Sequence, residues 1–100
     1  MEVRILEQNS ETVVAIVGRV DTITSSELET VVSRIWEQPA ITLVFDCAQM
    51  DYISSSGLRV VLKAHKQVTA AGGKFILRNL NNEVRSVMDM TGFSRILTVE

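Results

Sequence analysis

The sequence predicts an α/β domain built on a mixed, mostly parallel sheet of four to five strands. Three observations carry this. Apolar or β-branched runs recur at residues 12–17, 41–45 and 74–78. Between them lie two longer stretches with apolar residues at helical spacing, one from Leu28 and one from Leu58. Strands that alternate with helices imply parallel crossovers, since the helix carries the chain back before it pairs again.

In order, Val3 and Ile5 alternate with Arg4 and Leu6, a period-two signal for a first strand. Asn9-Ser10-Glu11 is a turn cluster, so residues 12–17 return as the second arm of an antiparallel hairpin. That arm is nearly all apolar and should be central, covered on both faces. Gly18-Arg19-Val20-Asp21 closes it. Asp21 precedes a helix start, where a carboxylate is favoured by the helix dipole; a structural turn aspartate is the plain reading. Thr24-Ser25-Ser26-Glu27 fits a capping box with Thr24 as the cap. Leu28, Val31, Val32, Ile35 and Trp36 then form one apolar stripe, with Glu29, Arg34 and Glu37 solvated, and Pro39 ends the helix.

Residues 41–45 are expected to form the third strand, ended by Asp46 and Cys47, with a right-handed crossover from the second. The next stretch, Asp51 to Leu62, carries three consecutive hydroxyls, Ser54, Ser55 and Ser56, followed by Gly57. One helix cap needs one serine, Ser54 or Ser55. Three adjacent hydroxyls exceed that need and point to a serine displayed to another molecule. Leu58, Val61, Leu62, His65 and Thr69 then line a helical face, with Val60 and Ala64 as a second row that is either core or docking surface. Gly72-Gly73 stops the helix. Residues 74–78 form a fourth strand, and Asn81 caps a third helix with Val84, Val87, Met88 and Thr91 inward, stopping at Gly92. Ile96, Leu97 and Val99 suggest a last short apolar segment.

Composition narrows the function. A hydrophobic share of 46% against 22% charged fits one folded domain over residues 1–100. A net charge of −2, without a block of Lys or Arg, argues against nucleic acid as the main partner. No apolar run approaches the ~20 residues that span a membrane, and the N-terminus lacks a signal-peptide layout. The single cysteine, Cys47, fits a reducing compartment, so a cytoplasmic location is expected. Enzymatic chemistry finds no support. His65 is the only histidine, nine residues from Ser56, or about 13 Å along a helix at ~1.5 Å per residue. It cannot act as that serine's base. One histidine and one cysteine make no metal site, and no cofactor is implied. Ala71-Gly72-Gly73-Lys74 lacks the spacing of a phosphate loop.

Four blocks together resemble the bacterial anti-sigma factor antagonists of the STAS domain family. They are Gly18-Arg19-Val20-Asp21, Ile53-Ser54-Ser55-Ser56-Gly57-Leu58, Ala71-Gly72-Gly73 and Met88-Asp89-Met90-Thr91-Gly92-Phe93. The resemblance implies a sheet with helices packed on one side and no enzymatic activity. It implies that the unphosphorylated protein binds an anti-sigma factor, itself a serine kinase of the histidine-kinase-like ATPase fold, and so releases sigma. The kinase would phosphorylate the serine before the glycine, Ser56, with Ser55 as second choice, and a phosphatase would reset it. Asp21 is expected near that serine. The expected partner-facing residues are Asp21, Ser54, Ser55, Ser56, Gly57, Arg59 and Val60. Members of the family often carry Asp two residues before the phosphorylated serine; this chain has Ser54 there, with Asp51 the nearest upstream aspartate. The alternative is a scaffold or ligand-sensing module of the same fold that is never phosphorylated.

Overall fold

A computed structural model describes residues 1–100. Five strands lie in the order β1-β2-β3-β4-β5. They are β1 (Glu2–Gln8), β2 (Glu11–Val20), β3 (Thr42–Ile53), β4 (Lys74–Arg78) and β5 (Thr98–Val99). β1 pairs antiparallel with β2, and every later pairing is parallel. The helices are α1 (Thr24–Val32), α2 (Ser55–Ala70), α3 (Asn82–Thr91) and the short α4 (Phe93–Ile96). Because sequential strands are neighbours and crossovers are right-handed, every helix falls on the same face of the sheet.

That face holds the core. Val14, Phe45 and Leu77 are in register across three strands and fully buried. Leu28 and Val32 of α1, Val61, Ala64 and Val68 of α2, and Val84 and Met88 of α3 close over it. Phe45 and Phe75 meet edge to face with ring centroids 4.8 Å apart. Such a pair adds about 0.5–1.5 kcal/mol to the burial of its two rings. The Val60 and Ala64 row belongs to this core. Thr69 and Thr91, expected to face inward, are exposed.

The second strand is central as expected, yet its far face has no helix over it. Val13 and Val44 are buried there all the same. A side-chain strap runs over this face: the Arg78 guanidinium reaches from β4 to the Glu11 carboxylate on β2, at 3.2 and 3.3 Å, and so must cross β3. It also binds Glu100, just beyond β5.

The third strand departs most from expectation. It runs on to Ile53 instead of ending at Asp46 and Cys47. Beyond the Asp46–Arg78 pair β4 no longer accompanies it, and only β2 holds it. Its register against β2 slips twice, between Ala15 and Val17 and between Gly18 and Arg19, each time with one extra residue on β3. The buried positions there are Cys47, Met50 and Ile53, every third residue. Two bulges thus convert a period of two into a period of three. Asn81 pins this segment: its amide donates to the Met50 carbonyl at 3.0 Å while its oxygen caps α3 through the Val84 N–H at 2.8 Å.

The regular part of α1 ends at Val32, and the chain continues in turns that still bury Ile35 and Trp36. Gly73 is required by close packing, since a Cβ there would lie 2.2 Å from the Ile41 carbonyl oxygen. No helix is long and apolar enough to cross a membrane.

Cys47 is buried on the core face, and burial, reinforced by Asp46, pushes its thiol from 9.0 up to about 12. The raised value fixes the sign of its pH effect. The unfolded thiol ionises first, so its contribution to stability is complete below about pH 9 and is lost as pH rises toward 12. Wild-type protein should lose denaturant resistance over that range more steeply than Cys47→Ala, as followed by urea unfolding. A thiol reagent at neutral pH should react only on unfolding.

Candidate functional site

The site forms where β2 and β3 end and α1 and α2 begin. Crossovers of one hand leave both helix N-termini at the carboxyl edge of the parallel strands, where crevices form in open α/β sheets.

The first turn of α2 is held by three contacts. The Ser54 N–H donates to the Val20 carbonyl at 2.8 Å, which ties the turn to the end of β2. The Ser54 hydroxyl caps the helix by accepting the Gly57 N–H at 3.1 Å. Gly57 itself is pressed onto the strand ends. A Cβ there would lie 2.7 Å from Ile53 Cγ1 and 2.8 Å from Val20 Cγ1, on two buried, stiff side chains. Of the three serines, Ser54 therefore serves as the cap. Ser55 is exposed, Ser56 is half-buried, and neither hydroxyl makes a hydrogen bond. The N–H groups of Ser55 and Ser56 have no preceding turn to bond to.

The entry to α1 is built differently from the expected box at Thr24. Asp21 Oδ1 accepts the N–H groups of Ile23 and Thr24, at 3.0 and 2.9 Å. The Thr24 hydroxyl accepts the Asp21 N–H in return, at 2.8 Å, and donates to the Arg19 carbonyl at 2.8 Å. This is a reciprocal cap three residues earlier, with Asp21 as its acid. The backbone bond from Thr24, seconded by its hydroxyl, holds the Asp21 carboxyl below its ordinary range. The structure shows no hydrogen bond from Asp21 to Ser56; the two belong to neighbouring helix starts.

Between α1 and α2 runs a cleft of about 400 Å³. Thr22, Ser25, Ser26 and Glu29 line one wall, and Ser56, Arg59, Val60 and Lys63 the other. Lys63 Nζ crosses it to Glu29 at 3.0 Å. Arg59 is exposed and makes no ion pair. Val60 is 4% exposed, so it serves as the cleft's apolar floor. The cleft thus brings Ser56, Arg59 and Val60 together. Ser54 and Gly57 lie beneath them as the turn that holds Ser56 in place, and Ser55 points away into solvent.

Three features escaped the sequence reading. Arg19 stacks over the Tyr52 ring, 4.3 Å from its centroid, across two strand ends. Ile23, in the Asp21–Thr24 turn, is 76% exposed, and Tyr52 is 42% exposed, so apolar surface lies beside the serine turn. Contacts across strands leave no local pattern to read. The Asp21 cap did leave one, its spacing to Thr24.

Fold and site together define a small α/β binding domain that presents a hydroxyl-rich turn at the carboxyl edge of its sheet. The STAS domain family model matches residues 2–100. BtrV of Bordetella bronchiseptica, assigned as an anti-sigma factor antagonist, is 35% identical over 82 residues, or 82% of this chain and 71% of its own. An anti-sigma factor antagonist STAS protein of Planctomyces limnophilus superposes with a TM-score of 0.88 at 13% identity, covering 98% of this chain and 87% of its own. Phosphorylated SpoIIAA of Bacillus superposes with a TM-score of 0.75 at 20% identity, covering 99% and 91%. The chain belongs to the STAS domain family, and within it to the anti-sigma factor antagonists.

Two outcomes test this local structure. Gly57→Ala should cost about 1–3 kcal/mol, because overpacking has no slack between Val20 and Ile53; urea unfolding measures it. Asp21 has a lowered folded pKa, so its stabilisation is present above its ordinary value of 3.8 and fades as pH falls through the lower folded value. Asp21→Asn should lower the melting temperature at neutral pH and flatten its decline in acid, as read by thermal melts across the acid range.

Proposed function

We propose that this protein is the phosphorylation-controlled partner of an anti-sigma factor that is also a serine kinase. Unmodified, it binds that kinase through the serine turn, the cleft and the adjoining Ile23 and Tyr52, and sigma is set free. Phosphate on Ser56 ends the binding, and a phosphatase restores it. The protein acts by binding and not by catalysis, in the cytoplasm, where ATP supplies the phosphate.

The observation that carries this reading is the state of Ser56. Its hydroxyl has no partner, lines an open cleft and stands in the first turn of a sixteen-residue helix. Phosphorylation adds about −1.5 to −2 charges there. The fold tolerates them, since an anion at a helix start gains typically 0.3–1 kcal/mol from the dipole. A protein packed on the same turn must desolvate that charge, and each 1.4 kcal/mol is about tenfold in affinity. Stability and binding are thereby separated. That SpoIIAA, of like fold, exists in a phosphorylated form fits this tolerance.

The test uses the cognate anti-sigma factor with ATP. Wild-type protein should acquire one phosphate at Ser56 by mass spectrometry and leave the complex on gel filtration. Ser56→Ala should stay bound with ATP present, and Ser56→Asp should bind at least about tenfold more weakly with an unchanged melting temperature. Phosphate on another residue, or Ser56→Asp binding as wild type does, would reject the reading in favour of an unmodified scaffold.

A further inference from the structure

We propose that Arg59 is the in-chain receptor for a phosphate on Ser56. The inference rests on the reading of Ser56 above and adds to it where the phosphate goes.

Ser56 and Arg59 are three residues apart on α2, hence on one helix face, and both line the cleft. Long helical side chains lean toward the N-terminus, so Arg59 leans over the turn that carries Ser56. Arg59 is also the uncommitted cation. Lys63, one turn further on, is engaged by Glu29. The only charged residues of the lining are Arg59, Lys63 and Glu29, so two positive charges and one negative leave the cleft at +1. The chain as a whole carries −2. A local positive excess in an acidic protein, with an unpaired guanidinium beside a free hydroxyl, is complementary to a phosphate. Guanidinium offers two parallel N–H groups to phosphate oxygens, which a lysine does not. Asp21, at the start of the facing helix, already spends one carboxylate oxygen on Ile23 and Thr24, and it does not line the cleft.

The modified turn is then an ordered ion pair rather than a charge waving in solvent. A docking partner would find the cleft mouth filled as well as charged.

The experiment installs phosphoserine at position 56 by genetic-code expansion, so no kinase is involved. A ³¹P NMR titration then reads the second ionisation of the phosphate, near 6 when unperturbed. A nearby cation favours the dianion and lowers that value. The phosphate in otherwise wild-type protein should titrate at least about half a unit below that in R59Q, about a threefold difference in proton affinity. K63Q should titrate as the parent does. Arg59 is exposed, so R59Q should fold, and circular dichroism checks it. Coincident titrations of parent and R59Q, or a K63Q titration that moves as R59Q was expected to, would overturn the assignment. Either result leaves the Ser56 switch standing, whereas a kinase that ignores Ser56 would sink the switch without touching this measurement.

Discussion

The site depends on one close approach: Gly57 pressed against Val20 and Ile53. Removing the Cβ lets the first turn of α2 sit directly on the ends of β2 and β3. The Ser54 N–H can then close on the Val20 carbonyl, and the Ser54 hydroxyl can turn inward as the cap. With those contacts made, Ser56 has nowhere to go but the cleft facing α1. A helix start lifted by even one methyl group would change the angle of α2, and with it the gap that Glu29 and Lys63 bridge. The serine's exposure is therefore a packing result before it is an electrostatic one.

Much of this was legible in the sequence because local chemistry and global fold agree at many points. Residues 74–78 and the Asn81 cap are where pattern and turn chemistry place them, and of the two candidate caps Ser54 and Ser55 the structure uses Ser54. Four strands follow from the apolar runs, with a fifth hinted at by the short segment near Val99, and the likeness to anti-sigma factor antagonists follows from four spaced blocks. The misses have physical causes. The second half of β3 buries Cys47, Met50 and Ile53, and a spacing of three does not read as a strand. Only the paired β2 backbone reveals the two bulges that produce it. The box at Thr24 is displaced to Asp21 because an aspartate oxygen, accepting two N–H groups, outcompetes a hydroxyl for the helix entry. The strap from Arg78 to Glu11 joins residues sixty-seven apart, and no window along the chain contains both.

The same comparison separates two kinds of polar residue that look alike in one dimension. Asp21, Ser54 and Asn81 are all spent on backbone N–H groups, and their chemistry is structural. Ser55, Ser56 and Arg59 have no such debts. A folded protein satisfies its buried polar groups almost completely, so a hydroxyl that opens on a cleft without a partner is free to serve another molecule. What distinguishes Ser56 from its neighbours is less its identity than the absence of internal work for it to do.

The departure at Ser54 then acquires a meaning. α1 has Glu27 in its first turn, besides the Asp21 cap, and α3 has Glu83. α2, the longest helix, has no acid in its first turn and a neutral serine as its cap. Among the three longer helices, its N-terminal partial charge, roughly half a unit, is therefore the one left without a fixed counter-charge. An aspartate in place of Ser54 would supply that charge permanently, and it would also stand two residues from any phosphate on Ser56 and repel it. With serine there, the helix start is electropositive in the unmodified protein. In the proposed switch the dianion would then meet free N–H groups and the Arg59 guanidinium, with no carboxylate in the cap beneath it. The residue that makes the motif less typical of its family thus leaves the turn better matched to the reversible negative charge proposed for Ser56.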